Sequence, residues 1–157
     1  MSGAVQARVE RAVNKALGVN AVISIMIGII VTIMVQSSSI TTSLLVPLGA
    51  AGLLRLERAF PVTLGANIGT TVTGFLAALA VTGVNATAGL QIALVHLLFN
   101  LSGLLLVYPI SAIRNIPLNL SRRVTRVAIH SRRLTLLWVA LLFYGLPALA
   151  VLISRIL

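Results

Sequence analysis

The segment Gln36-Ser37-Ser38-Ser39-Ile40-Thr41-Thr42-Ser43 carries a hydroxyl or amide at every position except Ile40. It lies between two apolar runs, residues 17–35 and 44–54, neither of which holds a charge. At membrane depth hydrocarbon supplies no water, and each unmet polar group costs on the order of several kcal/mol. Such a cluster must satisfy itself or hold something. Serine and threonine oxygens with freed backbone carbonyls form a hard-oxygen cage for a weakly bound monovalent cation such as sodium. Hydroxyl donors at a half-helix N-terminus favour a polyatomic anion such as phosphate.

A second polar interruption follows in Gly65-Ala66-Asn67-Ile68-Gly69-Thr70-Thr71-Val72-Thr73-Gly74. Thr70 and Thr73 are three residues apart, so on a helix they share a face and could bind one ion together. Calcium or magnesium would recruit carboxylates, and the only acidic residues are Glu10 and Glu57. Catalysis is not expected. There is no carboxylate pair, no cysteine and no metal-ligand spacing, and His96 and His130 have no apparent acid partner. No cofactor is implied beyond a weakly bound monovalent cation such as sodium. Isolated hydroxyls such as Ser24, Thr32 and Ser102 are expected to bond their own upstream carbonyls. His96 is expected to be a hydrogen-bonded packing residue rather than a proton relay. Gly65 and Gly69 match G-x-x-x-G, which commonly means close helix packing, but the adjacent Asn67, Thr70 and Thr71 point toward a site.

The elements that must hold these residues are helices in a bilayer. Of 157 residues, 59% are hydrophobic and 9% charged, with a mean hydropathy of +1.09, against roughly 25% charged in ordinary soluble domains. The expected fold is therefore an all-α integral membrane protein. Residues 1–16 read as an amphipathic cytoplasmic N-terminal segment, with no cleavable signal peptide. Residues 17–157 read as a single membrane domain. Within it, residues 17–54 are expected to form a re-entrant hairpin with its polar tip inside the membrane. A true span with a distorted return gives the same sidedness, but the polar tip and a return leg too short to span favour the hairpin. Residues 60–83 are expected to be a discontinuous helix, unwound near 67–69 and resuming at Thr70. Residues 89–108 form a span stopped by Pro109, residues 109–133 an arginine-rich cytoplasmic loop, and residues 134–153 the last span.

The net charge of +10 would suggest nucleic acid in a soluble protein. Here the basic residues lie between apolar runs, so they read as orientation signals and contacts to anionic lipid, with no nucleic-acid partner. In this arrangement all basic residues but Arg155 share one side, which the positive-inside rule makes cytoplasmic. The expected location is the cell membrane (plasma or inner), crossed several times.

Several blocks in order resemble one known family, the type II sodium-phosphate cotransporters and their bacterial relatives. Gln36-Ser37-Ser38-Ser39 is similar to the family's QSSS motif. Glu57-Arg58-Ala59-Phe60-Pro61 and Thr63-Leu64-Gly65-Ala66-Asn67-Ile68-Gly69-Thr70-Thr71 resemble its next segment. Leu90-Gln91-Ile92-Ala93-Leu94, Phe99-Asn100-Leu101-Ser102-Gly103 and Tyr108-Pro109 continue the likeness, which runs from about Lys15 to Arg123. The resemblance is to the second of the family's two inverted repeats. It implies sodium-driven symport of inorganic phosphate by alternating access. It makes Ser37, Ser38 and Ser39 phosphate-binding candidates. Gln36, Thr70 and Thr73 become sodium-binding candidates, with Asn67 shaping the unwound turn of that site. Ala66 stands where animal members often carry serine. A single repeat cannot build a two-repeat site, so a complementary first-repeat half is expected, in the same chain or a separate one. The competing reading is a non-transporting membrane module that docks a cytoplasmic regulator through its arginine-rich loop. Such a module has no need of a hydroxyl cluster at membrane depth.

Overall fold

In the computed structural model, which describes residues 20–156, every regular element is helical. The segment 1–16 and the start of the first apolar run lie outside the described residues. Helix α1, Ala21–Val35, begins at Asn20, whose side chain accepts a hydrogen bond from the Val22 N–H at 3.1 Å. Helix α2, Ser38–Ala50, follows after a turn of Gln36 and Ser37. The two form a helical hairpin. Helix α3, Leu56–Leu79, packs along α1 and more lightly on α2, and helix α4, Ala86–Val107, packs on α3. Between α3 and α4 the chain turns at Gly83, whose φ of +99° is a conformation that glycine adopts without strain. Helices α3 and α4, and the stretch Arg132–Arg155, are each long and apolar enough to cross a membrane. The protein is therefore a multi-pass membrane protein of all-α class.

The core is small and lies where α1 meets α3. Ile25, Val62 and Ala66 are buried there, along with the polar Ser24 and Thr32, while Ile68 and Thr71 are buried on other faces of α3. Glycine makes this approach possible. A Cβ on Gly28 would fall on the Val62 carbonyl oxygen, and one on Gly65 would fall on the Ile25 carbonyl oxygen. With lipid as solvent there is no hydrophobic drive between helices, so close backbone packing of this kind carries their association.

Two expectations need correction here. The break at 67–69 is absent, since α3 runs unbroken through Gly65, Gly69 and Gly74. Gly65 and Gly69 serve contact with α1, and threonine hydroxyls that follow them bond back onto the helix. The ladder is retained because an opened backbone group would find no water in hydrocarbon. The structure does contain a discontinuous helix, but it is the last one. Helix α6, Arg132–Ala140, passes through a π-helical turn, Leu141–Gly145, into helix α7, Leu146–Ile156. Pro147 explains the irregularity: it lacks an N–H and its ring crowds the carbonyl four residues upstream, and a wider turn relieves both.

The second correction concerns residues 109–133. The arginine-rich loop is instead largely helix α5, Ser111–His130. Ile113, Ile116, Leu120, Val124 and Val127 recur at spacings of three and four, which is the pattern of one apolar helix face. The junction before it is clamped by Arg114. Its guanidinium donates to the Tyr108 carbonyl oxygen at 3.3 Å and lies 5.2 Å from the centre of the Tyr108 ring. Contacts divide the chain into two compact units, one ending at Arg114 and one beginning at Asn115.

Candidate functional site

The hairpin turn is built by its sequence. Gln36 closes α1 in the left-handed conformation, with φ of 56° and ψ of 26°. Ser37 is then extended and caps α2, its hydroxyl oxygen accepting the Ile40 N–H at 3.3 Å. Serine suits this position because its short side chain reaches an N–H that has no carbonyl upstream. The Ser38 and Ser39 N–H groups also open the helix, where the ladder provides no acceptor. The first turn of α2 thus presents amide N–H groups, hydroxyls and the positive end of a helix dipole within a few residues.

Inside the hairpin a hydrogen-bonded chain joins the legs. The Thr32 hydroxyl donates to the Thr41 hydroxyl oxygen at 2.9 Å, and the Thr41 hydroxyl donates to the Ser37 carbonyl at 3.0 Å. Thr32 and Thr41 are buried, at 0% and 3% exposed. Thr32 therefore departs from the expected bond to its own helix, because an apposed helix offers a partner. Ser102 does bond back, to the Leu98 and Phe99 carbonyls, and the Ser24 hydroxyl reaches the Asn20 carbonyl. Thr42 spans the Ser38 and Ser39 carbonyls at 2.8 and 3.2 Å. Neither Thr32 nor Thr41 belonged to the expected site set. The available signal was that they sit nine residues apart on either side of a two-residue turn.

Helices α1 and α3 run in the same direction. Ile25 lies against Gly65, Gly28 against Val62 and Ala66, and Thr32 against Gly69. One further turn along both helices, about four residues, brings Gln36 to the level of Thr73. The hairpin turn and the threonine-rich stretch of α3 therefore lie at a similar height, with Gln36 exposed. Thr73 also continues the α1-facing stripe of Val62, Ala66 and Gly69 and is half-buried. Its hydroxyl donates to the Thr70 carbonyl at 2.8 Å. Thr70 flanks that stripe, is exposed, and donates to the Ala66 carbonyl at 3.1 Å, while Thr71 donates to Ile68 at 2.8 Å. Back-bonding of this kind uses the hydroxyl proton and leaves the oxygen lone pairs outward, the arrangement a cation ligand needs.

Not every expected residue joins this group. Asn67 lies in the middle of continuous α3 and is exposed, so it shapes no unwound turn. Ser39 is exposed, while Ser37 and Ser38 are half-buried. His96 is also exposed, beside Gln91, Ile92, Val95 and Phe99 on one face of α4, and not packed inside the unit. No buried side-chain nitrogen or oxygen among the described residues lacks a hydrogen-bond partner.

Three membrane-length helices and a hairpin with a hydroxyl-lined turn define a multi-pass membrane protein built like one repeat of an inverted-repeat transporter. The chain belongs to the Na+/Pi-cotransporter family, whose model matches residues 1–150. It is 42% identical over 125 residues to sodium-dependent phosphate transport protein 2B of Homo sapiens, covering 80% of this chain and 18% of that protein. The Mus musculus 2B protein is similar to the same extent, 42% over 125 residues with 80% and 18% covered. Sodium-dependent phosphate transport protein 2A of Rattus norvegicus is 40% identical over 126 residues, covering 80% of this chain and 20% of that protein. The chain thus spans about a fifth of the length of these curated relatives. No solved structure matches it.

Proposed function

We propose that this chain is one repeat of a sodium-coupled inorganic phosphate symporter, acting with a complementary first-repeat half in the same or a separate chain. The observation that carries the reading is the parallel register of α1 and α3, with Thr32 against Gly69, from which Gln36 and Thr73 fall at a similar level one turn further on. In this reading Ser37, Ser38 and Ser39 hold phosphate with their hydroxyls and the N–H groups that open α2. Gln36, Thr70 and Thr73 ligate sodium through oxygens whose protons are already donated or absent. Ser37 to Ser39 stay close to Gln36 along the chain, so bound cation and anion would stabilise each other, which is the basis of coupling. The family relatives are named for sodium-dependent phosphate transport, which supports the same substrates here.

Uptake of radiolabelled phosphate into vesicles tests this directly. Sodium-dependent uptake is expected when the chain is combined with a first-repeat half, and not from the chain alone. Uptake that is indifferent to sodium in the combined assembly would overturn the reading.

A further inference from the structure

The unit beginning at Asn115 holds a feature unrelated to the hydroxyl turn. An apolar groove of about 340 Å³ lies between α5 and α6. Leu120, Val124 and Val127 line it from α5, and Leu134, Trp138 and Val139 from α6. One cation, Arg123, lies in the wall itself. Arg126 follows one turn later on α5, and Arg132 and Arg133 open α6 just beyond the Ser131 turn, all of them exposed. The unit contains no acidic residue, so nothing within it neutralises this set. The two ends of the groove therefore differ chemically. Its floor is hydrocarbon-like; Arg126, Arg132 and Arg133 cluster toward the end where the helices join, and Arg123 lies about a turn farther along the wall.

We infer that this groove binds a single anionic phospholipid, with an acyl chain against Val124, Val127 and Trp138 and the phosphate near Arg123 and Arg126. Charge complementarity selects this occupant. A zwitterionic lipid would gain the apolar contact but bring its own cation to the arginines, and a free anion would leave the groove floor uncovered. Guanidinium groups suit the task because their planar fork meets phosphate oxygens in pairs. Their long stems can cover apolar surface while the charged head stays at the headgroup level. The inference needs the membrane location only, so it stands or falls independently of transport.

Trp138 is the single tryptophan in the chain, which gives the groove its own reporter. The full chain would be reconstituted into vesicles mixing phosphatidylcholine with phosphatidylglycerol, with bromine on the acyl chains of one or the other. Quenching of Trp138 then gives the relative affinity of the two lipids at the groove. Phosphatidylglycerol should be preferred roughly five-fold or more, the scale of one basic residue near an anionic surface. Arg123→Gln with Arg126→Gln should lower the ratio several-fold, with Arg132 and Arg133 keeping a residual preference, whereas Arg155→Gln should leave it unchanged. Both positions are exposed, so the fold should persist, and helicity by circular dichroism checks that. Arg123→Gln alone gives the same reading if the pair does not fold. Equal quenching by both lipids in the unaltered chain overturns the inference, as does a preference that is undiminished by loss of Arg123 and Arg126.

Discussion

The Thr32 hydroxyl donates to the Thr41 hydroxyl oxygen across the hairpin at 2.9 Å, and this bond ties the two legs together below the turn. Its direction gives the two residues different weights. Thr41→Val leaves the buried Thr32 hydroxyl without its acceptor and also removes the bond to Ser37, so it should destabilise by ~1–3 kcal/mol. Thr32→Val removes one donor while Thr41 keeps its bond to Ser37, so the cost should be smaller, ~0.5–1.5 kcal/mol. The double variant should cost less than the sum of the singles. A double-mutant cycle from denaturant unfolding in detergent would measure the coupling. Strict additivity would mean that the bond does not hold the hairpin.

Glycines of α1 and α3 should divide sharply by position. Gly28→Ala and Gly65→Ala each place a methyl on a facing carbonyl oxygen that belongs to a helix backbone and cannot step aside. Overpacking of this kind costs about 1–3 kcal/mol or more. Gly74→Ala meets nothing within 4 Å in the same helix and should stabilise by up to ~1 kcal/mol through helix propensity. Thermal unfolding of the three variants would show two downward shifts and one small upward one. A loss at Gly74 as large as at Gly65 would remove the close-packing account.

In a complete transporter containing this half, Thr73→Val should act on sodium more than on phosphate. Valine keeps the shape and removes one oxygen ligand. The loss, roughly 1–3 kcal/mol, corresponds to about five- to 150-fold in affinity. The sodium concentration for half-maximal uptake should rise at least several-fold, with apparent phosphate affinity at saturating sodium changing less. Ser38→Ala should show the reverse order. Unchanged sodium dependence in Thr73→Val would make Thr73 a packing residue whose hydroxyl serves only the Thr70 carbonyl.

The absence of native cysteine makes topology directly measurable. Cysteines replacing Arg55 and Arg123 should label from one face, the cytoplasmic one, and a cysteine replacing Asn85 from the other. This follows from two crossings by α3 and α4 and from the resistance of arginine-rich segments to translocation. A cysteine at Ser38 should label only through the aqueous site. Free labelling of Ser38 at the face opposite Arg55 would replace the re-entrant hairpin with a full crossing.

Much of this protein is legible in its sequence because the controlling forces are local. Hydropathy depends on composition within a window, so membrane class and the spans near 56–79, 86–107 and 132–155 follow from it. The turn at Gln36 and Ser37 is likewise local, because a capping serine after an apolar run ends one helix and starts the next. Helix α5 was also within reach, since its apolar residues recur at helical spacing even though its arginines suggest a loop. The tertiary structure decided the rest. Gly65 and Gly69 break a helix or seat a neighbour depending on whether another backbone comes close, and α1 does. Thr32 bonds its own helix or another one depending on what faces it, and Thr41 does. Such outcomes depend on residues distant in sequence, and no local pattern carries that information.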